Sequence, residues 1–161
     1  FFRQAVSNYP VCSPFRAMVI TGRWPYRTGV IDNNIPLSPD EFTIGDAFRA
    51  AGYVTGYIGK WHLGGTRAEP FGFDESLIWT NTNTHFDTSR YHPAEGPPVQ
   101  PKGYNATLMM DQAIDFVERH REESFFLTVS LNPPHARFTD APAEKMAMYP
   151  PGSLKIRQNT T

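Results

Sequence analysis

The clearest periodic signal lies in the second half of the chain. Tyr104, Leu108, Met109, Ala113, Phe116 and Val117 recur at near-helical spacing and predict a helix over residues 104–121. Residues 125–131 follow as a mostly apolar run with β-branched members, the pattern of a buried strand, and Pro133-Pro134 stops it. Earlier, Val54, Thr55, Tyr57 and Ile58 mark a strand over residues 53–58. Two shorter helices precede it. One is opened by Cys12-Ser13-Pro14, with Pro14 suited to the first helical position, and ends at Thr21-Gly22. The other is capped by Thr43, with Asp46 three residues on as an imperfect capping box, and is terminated by Gly52. Residues 69–102, punctuated by Gly and Pro, read mostly as loop, an insertion rather than a linker between domains.

Helices alternating with short apolar strands imply an α/β fold, a layered sheet flanked by helices. Ligands in such folds gather beyond the C-terminal ends of the strands. Residues 59–64 follow one predicted strand and residues 132–135 the other, so two polar clusters fall where a site is expected.

Composition narrows the classes. The 161 residues carry 15 Lys and Arg against 16 Asp and Glu, which leaves no basic field to attract nucleic acid. No apolar run is long enough to span a bilayer, and no secretory signal opens the chain. The sequence starts at Phe1 without Met, and is expected to be an excerpt of a longer protein, one partial catalytic domain over residues 1–161. A single cysteine makes neither an internal disulfide nor a thiolate cluster, so Cys12 needs its own explanation.

Three clusters carry chemistry. In Cys12-Ser13-Pro14-Phe15-Arg16, a side chain at a helix N-terminus meets unsatisfied N–H groups and the positive end of the dipole, a place for an anion or a nucleophile. Arg16, four residues on, shares that face and can hold an oxyanion. Taken singly, Cys12 reads as a buried structural cysteine beside a surface arginine. In Gly59-Lys60-Trp61-His62-Leu63-Gly64, alternation past a strand end aims Lys60 and His62 to one side: a positive charge and a proton carrier. A surface Lys and a packed His are the plain alternative. In Asn132-Pro133-Pro134-His135, prolines fix where His135 points, although a solvated loop histidine would look the same.

Together the clusters resemble one family. Cys12-Ser13-Pro14-Phe15-Arg16 with Thr21-Gly22-Arg23 is similar to the C-x-P-x-R…T-G-R signature of formylglycine-dependent sulfatases, of the alkaline-phosphatase-like superfamily. Residues 52–56 and 59–64 resemble that family's second signature, in the right order, and residues 125–135 its later strand and substrate-facing histidine. Phe15 stands where the family more usually has a small residue. The resemblance implies the family's layered mixed sheet, truncated here at both ends, and sulfate ester hydrolysis.

It also implies roles. Cys12 would be oxidised to formylglycine by a modifying enzyme. The hydrated aldehyde would attack sulfur through one hydroxyl, and proton loss from the other would expel sulfate. Cys12, as formylglycine, would also ligate a calcium ion whose remaining ligands lie outside this chain. Arg16 would hold the diol, and Lys60 would bridge diol and sulfate. His62 would take the proton that triggers elimination, and His135 would contact sulfate and the leaving oxygen. A sulfated small molecule or carbohydrate is the implied substrate, and the periplasm, the secretory route or the lysosome the implied location. A formylglycine-dependent phosphonate or phosphate ester hydrolase shares this site. A non-catalytic binding protein and a cysteine thiol hydrolase are further alternatives. Arg90, Tyr91 and His92 are candidates to meet a sugar sulfate, and Asn105 and Asn159 fit the glycosylation pattern.

Overall fold

The computed structural model describes residues 4–80, 83–86 and 90–153. Asn159 lies outside them. Helix α1 (Cys12–Thr21) begins one residue after an extended Val11 and is closed by left-handed Gly22, whose N–H donates to the Met18 carbonyl at 2.9 Å. Cys12 is therefore the first helical residue and Pro14 the third, a correction to the expected start. Pro14 costs nothing there, because first-turn N–H groups have no partner within the helix. The Ser13 N–H is satisfied from outside, by Asn33 Oδ1 at 2.9 Å. A single turn, α2 (Pro25–Thr28), follows. Helix α3 (Ile44–Ala50) carries the expected capping box in full: the Asp46 N–H donates to Thr43 Oγ1 and the Thr43 N–H to Asp46 Oδ2.

Strands β1 (Val54–Lys60), β2 (Glu75–Thr80), β3 (Arg90–Pro93) and β4 (Phe125–Ser130) form one mixed sheet in the order β3-β2-β1-β4. β1 pairs in parallel with both β2 and β4, and β3 runs antiparallel to β2. Two of these strands lie in the stretch expected to be loop. Leu77-Ile78-Trp79 is too short a run to stand out beside the prolines that follow, and only pairing with β1 buries it: Ile78 and Trp79 are 0% and 1% exposed. Helix α4 (Asn105–Arg119) buries Met109, Ala113 and Phe116, within the range its periodicity predicted. A short α5 (Ala143–Ala147) was not anticipated.

Alternation along β1 divides the core into two layers. Tyr57 enters a cluster with Ala17, Trp61, Phe71, Phe73 and Ile78, beneath α1. Its neighbour Ile58 enters the other, with Trp79, Tyr91, Met109 and Phe116, beneath α4. Gly59 lies opposite Ser130 of β4, where no side chain fits. A Cβ there would collide with the Ser130 carbonyl, and its φ of 112° suits only glycine. No described helix is long and apolar enough to cross a membrane.

Candidate active site

β1 and β4 run in parallel and end side by side, with Gly59 opposite Ser130, so the residues that follow them emerge at one rim of the sheet. The N-terminus of α1 reaches the same rim. Arg16 makes the junction: Nη1 donates to the Lys60 carbonyl at 2.7 Å and to Ser130 Oγ at 2.5 Å, tying the helix to the ends of both strands. Tyr57 Oη donates to the same Lys60 carbonyl at 2.7 Å. Ser13 Oγ donates a short hydrogen bond to the His62 carbonyl. The backbone around Lys60 and His62 is thus fixed by side chains of α1 and β1.

Lys60, the last residue of β1, is buried, with Nζ 5.8 Å from the centroid of the Trp79 ring. Burial depresses its pKa below the usual lysine value. The charge of Cys12 opposes that effect and the Arg16 guanidinium adds to it. His62 has a left-handed backbone, φ 56°, rare for a non-glycine residue and of the kind that collects at functional sites. Its pKa is likewise held below the ordinary imidazole value, first by burial, then by the positive charges of Lys60, Arg16 and His135. His62 is therefore neutral and able to accept a proton near neutral pH. His135 is half-buried, and its N–H donates to the Asn132 carbonyl at 3.0 Å. The Pro133-Pro134 bond between them is cis.

All five residues singled out in the sequence meet at this rim. Cys12 and Arg16 come from α1, Lys60 from β1, His62 from the turn after β1, and His135 from the loop after β4. Chemically the cluster offers a half-buried thiol at a helix N-terminus, two cations, and two histidines for proton transfer. Sequence reasoning missed the supports Tyr57, Asn33 and Ser130. Tyr57 lies three residues before Lys60, and Ser130 ends the other strand, but neither spacing is distinctive. Among the described residues, no group of three His, Cys, Asp or Glu is placed to hold a metal ion.

Other expectations are corrected. Tyr91 is 1% exposed and packs in the core beneath α4, where burial pushes its hydroxyl pKa up, so it cannot meet a substrate. Arg90 is exposed and His92 half-buried in the same edge strand. Asn105 is 1% exposed and its Nδ2 donates to the Thr84 carbonyl at 2.8 Å, so it cannot accept a glycan in the folded chain.

The Sulfatase family model matches residues 1–158. The chain belongs to the sulfatase family. Among relatives of this sulfatase chain, the ulvan-active sulfatase of Formosa agariphila is 33% identical over 99% of the chain, which covers 33% of that relative. The N-acetylglucosamine-6-O-sulfatase of Bacteroides thetaiotaomicron is 33% identical over 80% of the chain and 23% of its own length. A structure solved in complex with its substrate D-glucosamine-2-N,6-O-disulfate superposes with a TM-score of 0.72 and 30% identity, over 81% of this chain and 26% of the other. A Bacteroides fragilis protein assigned to the sulfatases superposes with a TM-score of 0.84 and 25% identity, over 91% and 39%. The chain thus spans a third or less of the curated relatives named here, and its mixed sheet with flanking helices is the fold these structures share.

Proposed function

We propose that the protein containing this chain hydrolyses sulfate esters of carbohydrates through a formylglycine made from Cys12. The observation that carries the reading is the convergence of Cys12, Arg16, Lys60, His62 and His135 at one sheet rim. Relatives named for ulvan and N-acetylglucosamine sulfates support the carbohydrate class. A modifying enzyme would oxidise the Cys12 thiol to the aldehyde. Once formed, the hydrated aldehyde supplies a hydroxyl nucleophile that a thiol cannot replace, because a thiosulfate-like product would be hard to discharge.

The remaining roles follow from the side chains. Arg16, already anchored at both strand ends, presents a fixed cation to oxygen at position 12. Lys60 is a cation in a site with little water, where it offsets negative charge that grows on the sulfate oxygens more strongly than it would in solvent. His62, neutral at working pH, takes the proton released as sulfate departs. His135, on the opposite loop, would give a proton to the leaving alcohol. A calcium site is not made by the described residues, so no step is assigned to the ion and its ligands would have to come from elsewhere in the protein.

The test is sulfate release from monosulfated sugars by the full-length protein, co-produced with the modifying enzyme. Turnover that falls by about a thousandfold or more in Cys12→Ala supports the reading. Faster turnover of phosphate or phosphonate esters than of sulfates would overturn it.

A further inference from the structure

Three residues of the site keep buried polar atoms with no hydrogen-bond partner among the described residues: Arg16 at Nε, His62 at Nδ1, and Asn132 at both Oδ1 and Nδ2. Buried polar atoms are seldom left unpaired, since each costs about 1–3 kcal/mol. Complementary atoms in one patch are candidates to serve one another, and catalytic hydrogen bonds commonly tighten only when substrate binds.

Donor and acceptor capacity narrows the pairing. Because Nδ1 is the buried nitrogen of His62, Nε2 is left as the atom that can take a proton. Nε2 can do so only if it carries a lone pair, which puts the hydrogen of the neutral ring on Nδ1 and requires an acceptor there. Arg16 Nε is a donor and cannot serve. Trp79 Nε1, also unpaired, is a donor as well. Tyr91 Oη can accept, but Tyr91 lies in β3, which β2 separates from β1. His85, the other unpaired acceptor, lies in the segment after β2. Asn132 is 5% exposed and lies two residues past Ser130, at the end of the strand paired to β1. The paired register ends at Gly59–Ser130, and His62 and Asn132 follow within three residues of that pair, at the same rim. The Asn132 carbonyl already holds the N–H of His135, which fixes its backbone in the turn carrying His135, a residue whose charge acts on His62.

We infer that Asn132 is a positioning residue for His62: its Oδ1 accepts the Nδ1–H hydrogen and holds the imidazole in the tautomer whose Nε2 is the base. The catalytic consequence rests on the proposed sulfatase reading, whereas the tautomer does not. Arg16 and Lys60, which face His62 from α1 and β1, are donors only and cannot accept that hydrogen, and His135 on the loop after β4 is taken up as a proton donor in the proposed reaction. A neutral amide also accepts without raising the basicity of the ring as a carboxylate would.

The experiment uses the full-length protein labelled with 15N-histidine, with His62 assigned by its loss in His62→Gln. Long-range 15N–1H spectra at neutral pH should show His62 protonated at Nδ1. Asn132→Leu should mix or reverse the tautomers and lower kcat by about ten- to a hundredfold, with KM within about threefold. Asn132→Asp keeps the acceptor and adds a negative charge. It should retain the Nδ1–H tautomer and move the acidic limb of kcat to higher pH, because a nearby carboxylate stabilises the protonated ring. If Asn132→Leu does not fold, the wild-type tautomer and the Asn132→Asp limb decide. A wild-type ring protonated at Nε2, or an Asn132→Asp limb that does not move, overturns the inference. Inactivity toward sulfates with an Nδ1–H ring would instead count against the functional reading alone.

Discussion

The distance between β1 and β4 sets where Arg16 meets Lys60 and Ser130, and Gly59 sets that distance. Gly59→Ala adds a methyl group against the Ser130 carbonyl, a backbone atom with no rotamer to change. Overpacking of this kind costs about 1–3 kcal/mol, and an L-residue held at φ 112° adds about 1–3 kcal/mol more. The expected destabilisation is therefore about 2–6 kcal/mol. Gly65→Ala is the control. Gly65 also has positive φ, 62°, but nothing lies within 4 Å of its Cβ position. Only the backbone penalty of about 1–2 kcal/mol applies, partly offset by the stiffer unfolded chain, which leaves a net loss of about 1 kcal/mol. Urea unfolding of the full-length protein, followed by tryptophan fluorescence, measures both variants, and kcat is read well below the transition. Gly59→Ala should lose activity even while folded, because Arg16 can no longer reach both strand ends in one geometry; Gly65→Ala should keep it. Equal stability losses in the two variants would refute the idea that β4 is held against β1 by the missing side chain.

On the proposed role, Lys60→Ala should lower kcat by about a hundredfold or more with little change in KM; a change confined to KM would make it a binding residue. The acidic limb of kcat should lie below about pH 6.5, the ordinary imidazole value, because burial and three cations hold the His62 pKa down. A limb above that value would assign the base elsewhere. At the far end of α4, His120 lies 2.8 Å from Glu123 and 2.7 Å from Glu75, and its pKa is raised mainly by the Glu123 bond. A raised folded-state pKa stabilises below the unfolded value and is lost as pH rises through the folded one. Thermal unfolding should therefore show a larger gap between wild type and His120→Gln at about pH 5.5 than at about pH 8.5, and no pH dependence of the gap would refute the linkage.

The elements that were legible are those whose burial repeats within one segment. α4 shows its core face every three or four residues, β4 is a continuous run, and Thr43 with Asp46 announces α3. β2 and β3 were not legible because their burial comes from partners far along the chain: Ile78 is covered only once β1 lies beside it, and Tyr91 only once Trp79 does. The site divides in the same way. Cys12, Arg16, Lys60 and His62 stand in long, specific motifs, and His135 in the shorter, weaker Asn132-Pro133-Pro134-His135. Ser130 and Tyr57 are ordinary residues in ordinary strand sequences, and only the parallel register brings them to the rim. Asn105 and Tyr91 show the opposite error, residues with suggestive chemistry whose burial removes them from contact with a glycan or a substrate.

The central claim is that Cys12 does not act as a thiol. Peptide mass spectrometry of the full-length protein, co-produced with the modifying enzyme and treated with iodoacetamide, tests it most directly. The peptide spanning Cys12 should carry an aldehyde in place of the thiol, resist alkylation and be captured by a hydrazide reagent. A preparation active on sulfate esters in which Cys12 is fully alkylatable would contradict it.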